Sequence, residues 1–369
     1  MSGLLGTVSN ASMTLSISGQ SYGQMSPIVE NAMATAQRLD LLTEQSSSGL
    51  ISQTYSGLGA AAATTVLTVS PQISSANAQI SEINAVTGPM SVQQNALTSI
   101  SSLVSGVTSQ FASLNTLDSN AVGVVIADAQ SALQQVSGLL NTQDGNNYVF
   151  GAQDSGEAPV PDASSISSSG FYTQIQSAVA SLSASGAAAT MSAILGIGSS
   201  NAAGTSPFSS GLNASPGLPS VSLSGGEQVT TGIAANSNAF VSSTGIGTTS
   251  TGSYMRDILA GLASVASLSP SQIGSADFSS FMSGISTMLR NANGALNADA
   301  GALGNVQTAL NSKTTGLQNT VTALTNQVAN ADSVDPASVL SQISSVQTAL
   351  QSSYQIIASM KTLNLAYYL

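Results

Sequence analysis

Apolar positions recur at steps of three and four through most of this chain. The pattern is clearest towards its end. Leu303, Val306 and Leu310 begin a stripe that Leu317, Val321, Leu324 and Val328 continue, and after a break Val339, Ile343, Val346, Leu350, Tyr354 and Ile357 take it up again. Such steps keep one stripe on one side of a helix, and sustained heptads supercoil it against a partner. The break has a local cause: Asp335 can cap a helix N-terminus, and Pro336 suits the first helical position because its missing N–H would be unpaired there. The closing run, with Leu363, Leu365, Tyr367, Tyr368 and Leu369, is apolar and is expected to be buried.

The same rhythm predicts helices in the first part of the chain. Pro27 opens one that carries Ile28, Val29, Met33, Ala36, Leu39 and Leu42. Val66, Val69, Ile73, Ile80 and Ile83, then Leu97, Ile100, Val104, Val107, Phe111 and Leu114, mark a tract about 70 Å long at 1.5 Å per residue. Gly88-Pro89 predicts a kink or break within it. A third tract runs from Val122 to Leu140, and residues 1–22 hold weak alternation at Met13, Leu15 and Ile17.

After Asn141 the texture changes. Asp144-Gly145 reads as a turn and Tyr148–Phe150 as a short strand, with further strands expected at Pro219–Leu223 and Gln228–Ile233 and a helical stretch from Phe171 to Leu195. Helical rhythm returns at Tyr254 and again from Phe278. The expected fold is mainly α: an antiparallel long-helix, coiled-coil rod formed by both chain ends, with a small β-containing, loop-rich insertion in the middle. The expected divisions are an N-terminal assembly helix and arm (1–45), the N-terminal half of the rod (46–140), an outer module (141–252), the C-terminal half of the rod (253–330) and a C-terminal assembly helix (331–369).

Composition narrows the function. Among 369 residues there is no Cys, His or Trp, and 6% are charged, against roughly 25% in an average domain. Thiolate chemistry, Cys-ligated metals and the usual neutral-pH base are therefore absent. The spacing holds no G-x-S-x-G, no phosphate-binding loop and no dinucleotide fingerprint. Asp144, Asp154, Glu157 and Asp162 form a loose acidic run whose spacing is not that of a calcium loop, and they read as solvated charges. No cofactor or metal is expected. The net charge is −11, and the five basic residues, Arg38, Arg256, Arg290, Lys313 and Lys361, are scattered, so nucleic acid is not an expected partner. No run of 18 apolar residues occurs, so membrane insertion is not expected, and residues 1–10 lack the basic and apolar regions of a cleaved leader. Low charge with long apolar seams suits a chain that packs against copies of itself, and so few ionisable groups predict an assembly insensitive to mild acid.

Three stretches then suggest a relationship. Leu41-Leu42-Thr43-Glu44-Gln45-Ser46-Ser47-Ser48-Gly49 resembles the N-terminal signature of the bacterial flagellin family. Asn147-Tyr148-Val149-Phe150-Gly151 with Asp154-Ser155 is similar to the turn from rod into β domain in the family's hook–filament junction branch. The run from Asp335-Pro336-Ala337 through Gln351–Tyr354 to Leu363–Leu369 looks like the family's closing helix, and its last residues are more like the junction branch than most filament members. The resemblance covers roughly residues 26–155 and 253–369. Where the family usually has a proline turn and a basic residue after the Ser-Ser-Gly, this chain has Leu50 and Tyr55–Gly59.

The resemblance implies a secreted, extracellular, non-enzymatic subunit of the flagellum, exported through the flagellar type III apparatus with an export chaperone. Its partners would be its own copies and neighbouring flagellar axial proteins. The assembly interface is then expected at Ile28, Met33, Leu39, Leu42, Val339, Ile343, Val346, Leu350, Tyr354, Ile357, Leu363, Leu365, Tyr368 and Leu369. From the residues alone, the seam from Val339 to Ile357 reads as an intersubunit packing surface, on the strength of the apolar closing run, with an intramolecular core as the alternative. A junction subunit, a filament flagellin, and a secreted coiled-coil adhesin with its recognition surface in residues 151–250 are the three functions this layout accommodates.

Overall fold

The structure, a computed structural model, describes residues 25–114, 119–214, 217–223, 226–272 and 275–362. The fold is mainly α, with long helices towards both ends and two small antiparallel sheets in the middle. The helices are α1 (Met25–Ser48), α2 (Ala60–Ala112), α3 (Ser119–Leu140), α4 (Gly170–Ala180), α5 (Leu182–Ser185), α6 (Ala187–Ser199), α7 (Ser210–Asn213), α8 (Tyr254–Ala266), α9 (Ala276–Asp332) and α10 (Pro336–Thr362). The strands are β1 (Gln143–Asp144) with β2 (Asn147–Tyr148), and β3 (Ser220–Ser222) with β4 (Gln228–Thr230). Two compact units result: Met1–Ile73 with Thr322–Leu369, and Ser74–Val321.

The larger unit takes its core from the predicted seams. On α2, Ile83, Met90, Leu97, Ile100, Val104, Val107 and Phe111 are buried at heptad spacing, and on α9 the series is Phe278, Phe281, Ile285, Leu289, Leu296, Leu303 and Leu310. The two helices run antiparallel. Asn293 Nδ2 donates to Ser105 Oγ at 2.9 Å, and Gln307 Nε2 donates to Ser91 Oγ at 2.5 Å and to the Thr87 carbonyl at 3.3 Å.

Gly88-Pro89 does not break α2, which runs unbroken for 53 residues. A proline inside a helix costs about 3 kcal/mol. Here Ile83, Met90 and Leu97 are buried on both sides of it, and a break would expose that stripe. Packing overrides the local penalty.

The middle is more helical than its sequence suggests. Strand β2 stops at Tyr148, and Val149 and Phe150 turn into the core instead of extending it. Pairing of β3 with β4 agrees with the expected strands. Helices α4 to α7 fill the stretch between the two hairpins.

At the centre lies α8, whose 13 residues are all buried. It packs on α3, α4 and α6. A helix covered on every side must satisfy its polar groups internally. At its C-terminal end, the Ala266 carbonyl accepts from the Tyr172 hydroxyl at 3.1 Å and from Gln130 Nε2 at 3.3 Å. Gly261 allows α9 to come close, since a Cβ there would lie 2.6 Å from a Leu289 methyl carbon.

Arg256 and Asp257 belong to the same helix. The Arg256 guanidinium donates to the carbonyls of Asn236 (3.2 Å), Gly198 (3.0 Å) and Ser200 (3.2 Å) and to Asn201 Oδ1 (2.6 Å), and lies 5.1 Å from the centre of the Phe208 ring. One side chain thereby ties three loop segments to α8. Asp257 accepts from Ser250 Oγ (2.5 Å), the Thr251 amide (2.7 Å) and Thr251 Oγ1 (2.7 Å).

A strap, residues 231–240, crosses the unit and is held from both long helices. Gln93 on α2 accepts from the Ile233 amide at 3.1 Å and donates to the Ile233 carbonyl at 3.0 Å and to the Val149 carbonyl. Asp299 on α9 accepts from the amides of Ala239 (2.9 Å) and Phe240 (2.6 Å) and from the Tyr254 hydroxyl (2.8 Å). Burial, reinforced by this neighbouring carboxylate, holds the Tyr254 phenol well above its ordinary value near 10. An unfolded tyrosine ionises first, so unfolding releases a proton once the pH passes about 10. Stability is thus expected to be unaffected by this group up to about pH 10, and to fall above it by about 1.4 kcal/mol per pH unit. Urea titrations between pH 9 and 11, with phenolate absorbance followed beside helicity, check this: Tyr254 should ionise only as the helices melt.

Ala152 has φ +55°, the left-handed region. A side chain there costs about 1–2 kcal/mol, which glycine avoids. Ala152→Gly is expected to raise stability by about 0.5–1 kcal/mol after its larger unfolded-state entropy is counted. A fall in urea midpoint would contradict this.

Candidate assembly surface

The smaller unit holds the terminal helices. α1 ends in a run of serines, and Gly49 (φ +72°) closes it, with its amide bonded to the Gln45 carbonyl at 2.8 Å. This is the usual left-handed helix stop. The chain then pairs briefly with the connector between α9 and α10. Ile51 N–H donates to the Asp332 carbonyl (2.6 Å), Val334 N–H donates to the Gly49 carbonyl (3.0 Å), and Leu50 bridges to Ser333 in antiparallel fashion. Gln45 Nε2 adds a bond to the Ile51 carbonyl at 2.8 Å. On the other side, Asp335 Oδ1 accepts from the Ala337 amide at 3.1 Å, the cap that its sequence predicts, and Pro336 opens α10.

These bonds set the end of α1 beside the start of α10. Leu42, Val339 and Val346 form a buried cluster, with Leu39, Val334 and Ile343 packed against it. Leu39, Leu42, Val339, Ile343 and Val346 are therefore brought together within one molecule. Ile28, Leu350 and Ile357 are half-buried along the same helices. Met33 and Tyr354 stand outward, 62% and 55% exposed. Leu363, Leu365, Tyr368 and Leu369 lie outside the described residues, as do Met13, Leu15 and Ile17.

Three further apolar side chains share the outward exposure of Met33 and Tyr354: Leu41 (50%), Leu340 (57%) and Ile356 (51%). Each sits one residue from a seam position, about 100° around the helix. A reading that follows a single stripe passes over them; the signal was the second apolar residue beside Leu42, Val339 and Ile357. The α1–α10 pair thus has a covered seam and exposed apolar side chains at several positions around it. Exposed apolar surface of this kind marks association sites.

Among the described residues no three acidic side chains gather as metal ligands, Asp144, Asp154, Glu157 and Asp162 included. Among them, too, no helix is long and apolar enough to cross a membrane.

Residues 287–369, the latter part of α9 with α10 and the closing run, match the family model of the bacterial flagellin C-terminal helical region. The chain is a bacterial flagellin family protein. The flagellin match covers the seam of α9 beyond Thr287 and the whole of α10, so the helix that carries the outward-facing Leu340, Tyr354 and Ile356 is a family element. No curated protein matches the chain. As a flagellin, it is a structural, non-enzymatic subunit of the extracellular flagellum, serving motility. It assembles with its own copies into a helical polymer and associates with other flagellar proteins.

Proposed function

We propose that this flagellin is the subunit that joins hook to filament. The observation that carries this reading is the segment Asn147–Gly151, similar in sequence to the junction branch. It sits where the helical part of the chain gives way to the middle module. There β1 and β2 form a hairpin directly after α3, Val149 and Phe150 turn inward, and the Phe150 carbonyl accepts from the Ala235 amide at 3.0 Å. The segment thus ties the start of the module to the strap. The character of the last residues, Leu363–Leu369, supports the same branch.

In this reading residues 1–45 and 331–369 are assembly segments, 46–140 and 253–330 are the two halves of a rod, and 141–252 is the outer module. The interface comprises the inner seam residues, which shape the α1–α10 pair, and Met33, Tyr354 and the closing Leu363, Leu365, Tyr368 and Leu369, which meet neighbouring subunits. Export through the type III apparatus with a dedicated chaperone follows from the same reading. Counting subunits per flagellum tests it: about one ring supports the junction role, and thousands would make the protein a filament flagellin. Deleting residues 360–369 tests the interface. Loss of polymerisation is expected; normal export and polymerisation without them would remove the assembly role of the closing run and favour a stalk-like adhesin.

A further inference from the structure

We propose that this flagellin is built for an acidic exterior, and stays folded and assembled below about pH 3.5, where free carboxylates are protonated. Acid unfolds proteins by three routes: repulsion among the remaining positive charges, protonation of carboxylates held in ion pairs, and charging of buried histidines. Histidine is absent, which closes the third route.

The first route is nearly closed. With every carboxylate protonated, the side chains carry at most five positive charges. A chain of this length at average composition would carry about 45. Self-repulsion grows with the square of charge, so the driving force is about one-hundredth of the ordinary one. The five are also spread out. Arg38 lies on α1, Arg256 on α8, Arg290 and Lys313 on α9, and Lys361 on α10. The two on α9 are about 35 Å apart along the helix, beyond a Debye length of about 10 Å at 0.1 M salt. Arg256 is enclosed by carbonyls, Asn201 and the Phe208 ring, which do not titrate in acid, with Asp257 as its neighbouring carboxylate.

The second route is narrow, because among the described residues most side-chain contacts that join elements in the larger unit are neutral, with carboxylates holding the Asp299, Asp257 and Asp277 contacts. Gln93 holds Ile233, Asn141 pairs with both backbone groups of Val160 (2.7 and 2.9 Å), Gln272 donates to the Val179 carbonyl (2.5 Å), and Gln307 reaches Thr87 and Ser91. Two carboxylates among the described residues are buried. Asp257 faces Ser250 and Thr251 and adjoins Arg256; burial pushes its carboxyl up, against the pull of those hydrogen bonds. A carboxyl raised in the folded state favours folding in acid and loses that contribution as pH rises through its folded value. Asp299 accepts from the Ala239 and Phe240 amides and the Tyr254 hydroxyl, one carboxylate clamp among many neutral contacts. Near the isoelectric point of about 4.1 the net charge vanishes, which favours association between copies.

The test uses the full-length protein and a six-lysine variant: Thr98→Lys, Ser102→Lys, Thr308→Lys, Ser312→Lys, Thr315→Lys and Thr320→Lys. All six positions are exposed, and each hydroxyl bonds only the carbonyl four residues earlier in its own helix. Lysine suits these helix positions at least as well. Far-UV circular dichroism and sedimentation between pH 7 and pH 2 give the readout. The native protein is expected to keep its helicity and its polymer to below pH 3. The variant should match it at pH 7 and unfold at least one pH unit higher in acid. A native unfolding midpoint above pH 3.5 overturns the proposal. So does a variant that unfolds at the same pH as the native chain, since charge scarcity would then not be the cause.

Discussion

Replacing Asp299 by Ala is expected to destabilise the larger unit by about 3–5 kcal/mol, the largest effect of any single polar substitution in it. The carboxylate is fully buried on the α9 seam and accepts from two backbone amides and one phenol. Alanine leaves all three donors without a partner, and each buried orphan costs about 1–3 kcal/mol. Asp299→Asn should cost about half as much, because one oxygen remains while the amide N–H₂ turns a donor towards donors. Tyr254→Phe in the alanine background should recover about 1 kcal/mol by removing one orphan, a coupling that a double-mutant cycle reads directly. Urea midpoints give the energies, and hydrogen exchange at the Ala239 and Phe240 amides gives the location. A loss below about 1 kcal/mol would mean that the strap is held without Asp299.

Asp299 also shows where sequence reading reaches and where it stops. It lies three residues after Leu296 and four before Leu303, in step with the seam. Gln93 holds the same kind of place between Met90 and Leu97 on α2. A polar residue in a heptad seam is the sign of a buried partner, so the two clamps were visible as exceptions to the pattern. Their common partner was not. Residues 231–240 carry no periodicity that would tell a buried strap from a surface loop, because their order comes from Gln93, Asp299, Asn238 and Arg256, each distant in sequence from most of what it binds. The long helices were legible because periodicity is local. The continuity of α2 through Pro89 was not, because it depends on burial of Ile83, Met90 and Leu97. Arg256 read as one of five scattered charges; its role follows from α8 being buried on every side, which its alternation with Ser and Gly did not disclose.

For assembly, substitutions in the seam of the α1–α10 pair and at its exposed apolar positions are expected to separate folding from polymerisation. Val339→Asp places a charge in the small cluster that Leu42, Val339 and Val346 share. Burying that carboxylate without a partner costs several kcal/mol, and this cluster has few other apolar contacts to offset it. The two helices should come apart, with lower helicity in the monomer and no polymer. Met33→Ser with Tyr354→Ser removes apolar surface that is already 62% and 55% exposed, so the monomer should keep its helicity and melting behaviour. If a neighbouring subunit covers these side chains, each contributes about 1–1.5 kcal/mol to association, half of a full burial. Together they should raise the critical concentration for polymerisation about 30- to 100-fold, at 1.4 kcal/mol per tenfold. Unchanged polymerisation in the double serine variant would place the subunit contacts elsewhere, and would leave the α1–α10 pair as a purely internal element. A lost polymer with an intact monomer assigns Met33 and Tyr354 to the contact between copies, because no change in the seam can produce that combination.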